Sequence, residues 1–233
     1  MAMVDLSIVM PCQNEEKTVG QCVNDAKDFM TRRRLHGEIL IIDNGSTDES
    51  AGIAREHGAQ VIPESRPGYG YALRRGIDSA QGKVILMGDC DATYDFLHLD
   101  ALYNPLAAGA CDMMIGDRFA GGISKGAMPM NHRIGVRVLS ALGRLRFRTE
   151  VRDFHCGLRG LTKEAAQRLD FQTTGMEFAT EMIALAMDEG LTIGQCPVKL
   201  GYSPPGRSKL RPLPDGFRHL KYIVTFHSPK TGR

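Results

Sequence analysis

Tryptophan is absent from this 233-residue chain and aromatics make up only 6% of it. With no nucleic-acid motif either, little is available to stack on bases, so a nucleic-acid-binding role is set aside. No apolar run approaches the ~20 residues that a bilayer-spanning helix needs, and the N-terminus lacks a signal-peptide pattern. Cys12, Cys22, Cys90, Cys111, Cys156 and Cys196 are scattered, with no C-x-x-C pair. That spacing argues against a zinc site or a disulfide framework and suits a reducing compartment. The expectation is a soluble cytoplasmic chain. Both familiar phosphate loops are missing as well. Gly68-Tyr69-Gly70 starts like G-x-G-x-x-G, but Leu73 stands where the third glycine belongs, and no G-x-x-x-x-G-K-[ST] occurs. A Rossmann dehydrogenase and a P-loop NTPase are thereby disfavoured.

What the chain does have is an uneven distribution of charge. The net charge is only +2, yet residues 1–117 carry 10 basic against 18 acidic side chains, and residues 118–233 carry 19 against 9. A half at −8 and a half at +10 are expected to meet different chemistry. The acidic half alternates short apolar runs with helical stretches. Strands are expected at Leu6–Met10, stopped by Pro11, and at Glu38–Asp43, Gln60–Ile62, Lys83–Gly88 and Asp112–Ile115. Helices are expected to start after Asn14, whose side chain can cap, with Glu15 and Glu16 in the first turn, and to span Gly68–Ala80 and Leu97–Ala108. Such alternation predicts an α/β fold, a mostly parallel sheet flanked by helices in a single domain. Ligands bind at the carboxyl ends of parallel strands, and Glu15, Asp43, Asp89 and Asp91 all fall at such ends. In Asp89-Cys90-Asp91, directly after a buried strand, two carboxylates are spaced to share one hard divalent cation. Mg²⁺ or Mn²⁺ there would neutralise a diphosphate leaving group.

Pro11-Cys12-Gln13-Asn14-Glu15, Ile41-Ile42-Asp43-Asn44-Gly45-Ser46-Thr47-Asp48 and Gly88-Asp89-Cys90-Asp91-Ala92 resemble the N-terminal motifs of family 2 glycosyltransferases with the GT-A fold. Gly116–Phe119, Arg152–Arg159 and Gly175–Met182 extend the similarity to the branch that makes polyprenyl-phosphate sugars, the dolichol-phosphate mannose and glucose synthases. The resemblance runs in unbroken order over about residues 5–225. It implies that Pro11, Asn14, Glu15, Asp43, Asp89, Cys90 and Asp91 bind a nucleoside-diphosphate sugar, a UDP- or GDP-sugar. Asp43 would accept hydrogen bonds from the base, and Asp89 and Asp91 would hold the metal. Dolichol-phosphate mannose synthases often carry a Gln two residues past the second Asp, where this chain has Thr93. Ser46-Thr47-Asp48 is read as a structural cap.

The basic half supplies the second substrate's side. Between Asp117 and Glu150 there is no acid, while Arg118, Lys125, Arg133, Arg137, Arg144, Arg146 and Arg148 all fall there. Gly121–Gly126 reads as a mobile loop over the site and His132–Phe147 as a helix. Arginine gives forked, charge-assisted bonds to phosphate, and the resemblance assigns Arg118 and Arg133 to an acceptor phosphate. Arg207 and Lys209, in a Pro/Gly-rich segment, would close over the phosphates. A phosphate nucleophile needs no strong base; for an alcohol acceptor, Asp153, Glu177 and Glu181 are the candidate bases, one of them, Glu177, grouped with Asp91, Arg118 and Arg133 as catalytic. His155 is read as structural. Phe217, Leu220, Val224 and Phe226 beside Arg218, His219 and Lys221 form an amphipathic basic stretch suited to peripheral membrane contact.

The expectation is one domain: a nucleotide-sugar and metal-binding half over 1–117, an acceptor-binding half over 118–212 and a basic tail over 213–233. Its activity would be inverting, metal-dependent transfer of a sugar to a phosphate-bearing acceptor, polyprenyl phosphate first. A soluble acceptor such as a nucleoside monophosphate is the alternative. A sugar nucleotidyltransferase is the alternative of another class, although Pro11–Glu16 lacks the Gly-rich basic loop such enzymes use. A non-catalytic sugar-nucleotide binder is the third.

Overall fold

The computed structural model describes residues 3–202 and 212–228. The segment holding Arg207 and Lys209 lies outside the described residues. Seven strands form one sheet: β1 (Leu6–Cys12), β2 (Gly37–Asp43), β3 (Gln60–Pro63), β4 (Val84–Met87), β5 (Met113–Asp117), β6 (Arg159–Thr162) and β7 (Ile193–Pro197). Their order is β3-β2-β1-β4-β6-β5-β7. All neighbours run parallel except β6, which is antiparallel to both β4 and β5. The central strands are apolar on successive residues because helices cover the sheet: Ile8, Val9, Met10, Leu40, Ile41, Ile85 and Leu86 are fully buried. Helices α1 (Val19–Arg33), α2 (Ser50–Glu56), α3 (Tyr69–Ser79) and α4 (Asp100–Ala107) connect the first five strands.

Strand β6 had no period to announce it. In β6 a glycine occupies the second of four positions, and a Cβ at Gly160 would meet the side chains of Leu86 and Leu106. The lack of a side chain lets β6 lie between β4 and β5, and the same lack removes its hydrophobic pattern. β1 also runs on through Pro11, which pairs in register with Ile42. The start of α1 differs from expectation too. Asn14 sits at φ +56°, a left-handed conformation that Asn tolerates, and the helix begins five residues later with no acid in its first turn. Instead of capping, Asn14 Oδ1 accepts from Thr47 N–H at 2.7 Å, and its own N–H donates to Ser46 Oγ at 3.1 Å. Asp48 accepts from Ser50 N–H and from Glu16 N–H. The loops after β1 and β2 are thus laced together at one sheet edge.

Beyond β5 come α5 (Arg118–Gly121), the long α6 (Met130–Phe147), α7 (Lys163–Arg168), α8 (Phe178–Asp188) and α9 (Pro212–Thr225). The Gly121–Gly126 stretch is pinned rather than mobile. Leu200 N–H donates to Gly122 O, and Ser124 N–H donates to Leu200 O, at 2.9 and 3.0 Å. The C-terminal helix docks on α6 and α8. His219 and Ile223 are buried, Phe226 meets Phe147 edge-on at 5.5 Å, and Arg146 Nη2 donates to Phe226 O at 2.6 Å. Among the described residues no helix is long and apolar enough to cross a membrane.

Candidate active site

The register places the functional side chains on one edge. Cys12 pairs with Asp43 at the ends of β1 and β2, and Met87, the last residue of β4, pairs with Arg159 at the start of the reversed β6. Pro11, Asp43, Asp89, Asp117 and Arg159 therefore share the carboxyl edge of the sheet, as its topology demands. Asp43 is held at the rim by Ser46 N–H, which donates to Oδ1 at 2.9 Å. Glu15 takes its place through its backbone, whose N–H donates to Ser50 Oγ at 2.7 Å. Cys90 leaves the set of direct ligands. Its thiol is buried, pointing back to Pro11 O at 3.3 Å, and its carbonyl accepts from Thr18 Oγ1 at 2.8 Å. In a D-x-D turn leaving a strand the outer two side chains face the site, so the middle one must face the core.

Asp89 has the most perturbed environment on this edge. Burial, then the nearby Asp91 carboxylate, push its carboxyl up to about 7, against a hydrogen bond from Tyr69 and the charges of Arg118 and Arg159. Asp91 is oriented by Thr93, whose N–H and Oγ1 donate to Oδ1 at 3.0 and 2.6 Å. Thr93 therefore fixes the orientation of the Asp91 side chain. Ala92 between them holds φ +62°, an uncommon conformation for a residue with a Cβ. Gly157 abuts the pair: a Cβ there would stand 2.5 Å from Asp89 Oδ2. Its N–H donates to Tyr94 Oη at 2.9 Å.

A carboxylate raised by burial and by a second carboxylate nearby fits a divalent cation, which would offset both penalties. Mg²⁺ and Mn²⁺ suit such a sparse donor set, since Mg²⁺ keeps several waters and bridges substrate phosphates. Among the described residues no group of three or more His, Cys, Asp or Glu is arranged as a closed metal cage.

On the basic side, Arg118 is 6% exposed and forks onto Asp153, Nε to Oδ2 at 2.6 Å and Nη2 to Oδ1 at 2.8 Å. Asp153 is thereby an anchor and not a free base. Arg118 still lines a cavity of about 260 Å³ together with Phe119, Ile123, Met130, Arg133, Ile134 and Arg137. In this cavity Arg133 Nε is buried with no hydrogen-bond partner among the described residues. Glu177 is buried, its Oε1 accepting from Gly175 N–H and its Oε2 3.5 Å from Arg218 Nε of α9. Glu181 accepts from Gln172 N–H and Thr173 N–H and Oγ1, which shapes the loop on which Gly70 N–H rests through Thr174 O. Glu181 is fully engaged, whereas Glu177 Oε2 faces Arg218 as an ion pair and has no hydrogen bond among the described residues. His155 packs edge-on against His219, centroids 4.3 Å apart, and burial drives both imidazoles below their usual range, His219 to about 4.

Motif reading gave no role to Arg159 and Gly157, although both lie in the Arg152–Arg159 motif, nor to Tyr69. Arg159 is 1% exposed, and its guanidinium donates to the carbonyls of Phe154, Cys156 and Ala179. It puts a fixed positive charge behind Asp89. A lone Arg opening a four-residue strand carries no pattern. Tyr69 sat in a motif weighed only as a dinucleotide loop.

An acidic strand-end pair beside a half-buried arginine cavity, on a sheet with one reversed strand, is the layout of a GT-A glycosyltransferase. The comparisons agree. The family model for glycosyl transferase family 2 matches residues 7–170, and the chain belongs to that family. It is 38% identical over 221 residues to the low-salt glycan biosynthesis hexosyltransferase Agl6 of Haloferax volcanii, covering 94% of this chain and 53% of Agl6. It is 30% identical over 223 residues to a dolichyl-phosphate hexose transferase of the same organism, covering 94% of this chain and 92% of that one. The chain spans about half the length of Agl6 and 67% of glycosyltransferase AglJ, to which it is 31% identical. Among solved structures, glucosyl-3-phosphoglycerate synthase from Mycobacterium tuberculosis, in complex with Mn²⁺, UDP and glucosyl-3-phosphoglycerate, superposes with a TM-score of 0.71. The identity is 22%, over 95% of this chain and 77% of that one. At that identity the likeness speaks for the fold.

Proposed function

We propose that this chain transfers a sugar from a UDP- or GDP-sugar to a phosphate-bearing acceptor, polyprenyl phosphate first, with inversion at the anomeric carbon. The observation that carries this reading is the cavity where Arg118, Arg133 and Arg137 share walls with Phe119, Ile123, Met130 and Ile134. A cationic and apolar enclosure suits a phosphate borne on a hydrocarbon. The partnerless Arg133 Nε supplies a buried donor that such a phosphate would satisfy. Similarity to a dolichyl-phosphate hexose transferase supports the same choice.

On this reading Pro11, Asn14, Glu15 and Asp43 seat the nucleotide at the ends of β1 and β2. Asp89 and Asp91 would hold Mg²⁺ or Mn²⁺, which when bound neutralises the leaving diphosphate. The remaining work falls to the chain. Asp153 locks the Arg118 guanidinium so that it enters the cavity already oriented, which costs no ordering at the moment of reaction. Arg118 and Arg133 aim one acceptor oxygen at the anomeric carbon. The bond from that carbon to the donor's diphosphate oxygen breaks as the new bond to the acceptor oxygen forms. An oxyanion needs no proton removed, which agrees with Glu177 and Glu181 being tied to Arg218 and to the 172–173 backbone. Where the activity is exerted, at a peripheral membrane face or free in the cytoplasm, belongs to the same proposal.

The second reading is a soluble phosphorylated acceptor, favoured by the likeness to an enzyme whose product is glucosyl-3-phosphoglycerate. A sugar nucleotidyltransferase is not favoured, given membership of family 2. The deciding experiment measures sugar transfer with Mn²⁺ from UDP- and GDP-sugars to polyprenyl phosphate, 3-phosphoglycerate and nucleoside monophosphates. Arg133→Ala should raise the KM for the true acceptor about tenfold and leave that for the donor unchanged. An unchanged acceptor KM sinks the assignment.

A further inference from the structure

Two thiols meet beneath the acidic edge. Strand β4 lies on β1 in parallel register, with Val9 opposite Met87, and Gly88 N–H extends the ladder by donating to Val9 O at 3.2 Å. The same register carried three residues past Met87 sets Cys90 beside Cys12. Their side chains are hydrogen-bonded to each other, and neither is more than 2% exposed. All six cysteines are unbridged. Burial pushes the thiol of Cys22, the third cysteine near by, up to about 12, and the Ala92 backbone hydrogen-bonds it.

The pair joins two working parts of the site. Cys12 ends β1, and its carbonyl accepts from Asn44 N–H, next to Asp43, at 2.8 Å. Cys90 stands between Asp89 and Asp91, with its carbonyl held by Thr18 Oγ1 at 2.8 Å. Neighbouring strands run about 4.8 Å apart, inside the roughly 4.4–6.8 Å of Cα separation that a disulfide spans. Closing the sulfurs to about 2.05 Å would draw Cys90 toward β1 and carry both carboxylates with it. The turn beyond has little slack, since Ala92 holds φ +62° and Asp91 is tied to Thr93.

We propose that Cys12 and Cys90 are an oxidation site: a hydroperoxide converts them to a disulfide that disarms the carboxylate pair, and a dithiol restores it. Disulfides of a reducing compartment are transient and redox-sensing. Cys12 reacts first, because its hydrogen bond with Cys90 holds it below the usual thiol range. Its sulfur attacks one peroxide oxygen and the O–O bond breaks, leaving a sulfenic acid on Cys12 and releasing one water. The Cys90 sulfur then attacks the Cys12 sulfur. The S–O bond breaks, and the hydroxyl departs with the Cys90 proton as a second water. Two thiols are oxidised to one disulfide, and hydrogen peroxide is reduced to two waters. Peroxide is little larger than water, and Cys12 is followed directly by the exposed Gln13 and Asn14. The effect on transfer rests on the proposed function; the bond itself does not.

The test treats the reduced full chain, freed of reductant, with hydrogen peroxide and maps its disulfides by mass spectrometry of blocked, digested protein. The parent should yield a peptide joining Cys12 to Cys90, and dithiothreitol should remove it. Sugar transfer followed in parallel should need at least about tenfold more Mn²⁺ after oxidation and recover with dithiothreitol. Cys12→Ala and, separately, Cys12→Ser should lose the link and keep their transfer in peroxide. Cys22→Ala should behave as the parent, and thermal melts check each fold. A parent without this link, a link confined to other cysteines, or Cys12→Ala inhibited by peroxide like the parent overturns the site. A link that forms while the Mn²⁺ requirement stays unchanged overturns its control of the carboxylates. If the reduced parent transfers no sugar, the functional reading fails, and the peptide map still decides the oxidation site.

Discussion

The two charged regions of this molecule treat their charges in opposite ways. At the ends of β1, β2 and β4 the protein gathers carboxylates, and burial together with the nearby Asp91 carboxylate drives Asp89 up to about 7. In the second half two buried arginines are answered by the protein itself. Arg118 is forked by Asp153, and Arg159 is caged by three carbonyls. The first region carries an imbalance of negative charge; the second pairs Arg118 and Arg159 within the protein and leaves Arg133 Nε without a hydrogen-bond partner among the described residues. On the proposed function the two would serve different partners: the imbalance would draw in a metal for the donor diphosphate, and the preset arginine would meet the acceptor phosphate.

The largest predicted effect breaks the frame. Asp153→Ala strands the buried Arg118 guanidinium and should cost about 3–5 kcal/mol of stability, read as a lowered denaturation midpoint. Asp153→Asn, which keeps one acceptor oxygen, should cost less. On the other side of the comparison, Asp91→Asn should leave the melting temperature almost unchanged. Metal-dependent transfer should nonetheless fall by about 100-fold, roughly 2.7 kcal/mol of transition-state stabilisation. If Asp91→Asn transfers sugar like the parent, the acidic edge is not a cation site.

A third prediction concerns pH. His219 titrates at about 4 and His155 below its usual range because both are buried beside Arg159. Their folded pKa values lie below the unfolded value of about 6.5. Stability is then full above that pH and declines as pH falls toward about 4, by on the order of 3 kcal/mol for His219. Denaturant midpoints from pH 7 to 4 should show the decline, and His219→Asn should flatten it. A midpoint constant across that range contradicts the burial. Smaller again, Gly157→Ala presses a methyl on Asp89 Oδ2 and should raise the Mn²⁺ concentration for half-maximal transfer about tenfold, while donor binding without metal holds. Smallest is Thr93→Val, which removes the Oγ1 hydrogen bond to Asp91 Oδ1 while keeping the backbone one, and should lower transfer only several-fold.

The parallel core was legible because its strands are buried on both sides and therefore read as unbroken apolar runs. Asp43, Asp89 and Asp91 were legible because each follows such a run. Asn14 was misread: a capping residue and a loop cross-link look alike until the loop after β2 is in place. Cys90 was assigned to the donor site from its motif, although alternation along the chain turns its thiol inward. Strand β6 was invisible, since a glycine-centred strand of four residues has no period, and Arg159 stood in a recognised motif with nothing local to show that it is buried near Asp89.

Local residue order thus set the strands, the acidic strand ends and the uneven charge, because those depend on spacings of a few residues. Which charges are neutralised and which are left open depends on residues far apart in the chain. Asp153 meets Arg118 from 35 positions away, Gly157 meets Asp89 across the sheet edge, and α9 closes over Glu177 through Arg218. The same holds for Cys12 and Cys90. Both stand in plain view in the sequence, but only the register of β4 on β1 brings their side chains together. Burial is a property of the assembled chain, and in this protein burial decides which charged and apolar groups remain available for a ligand.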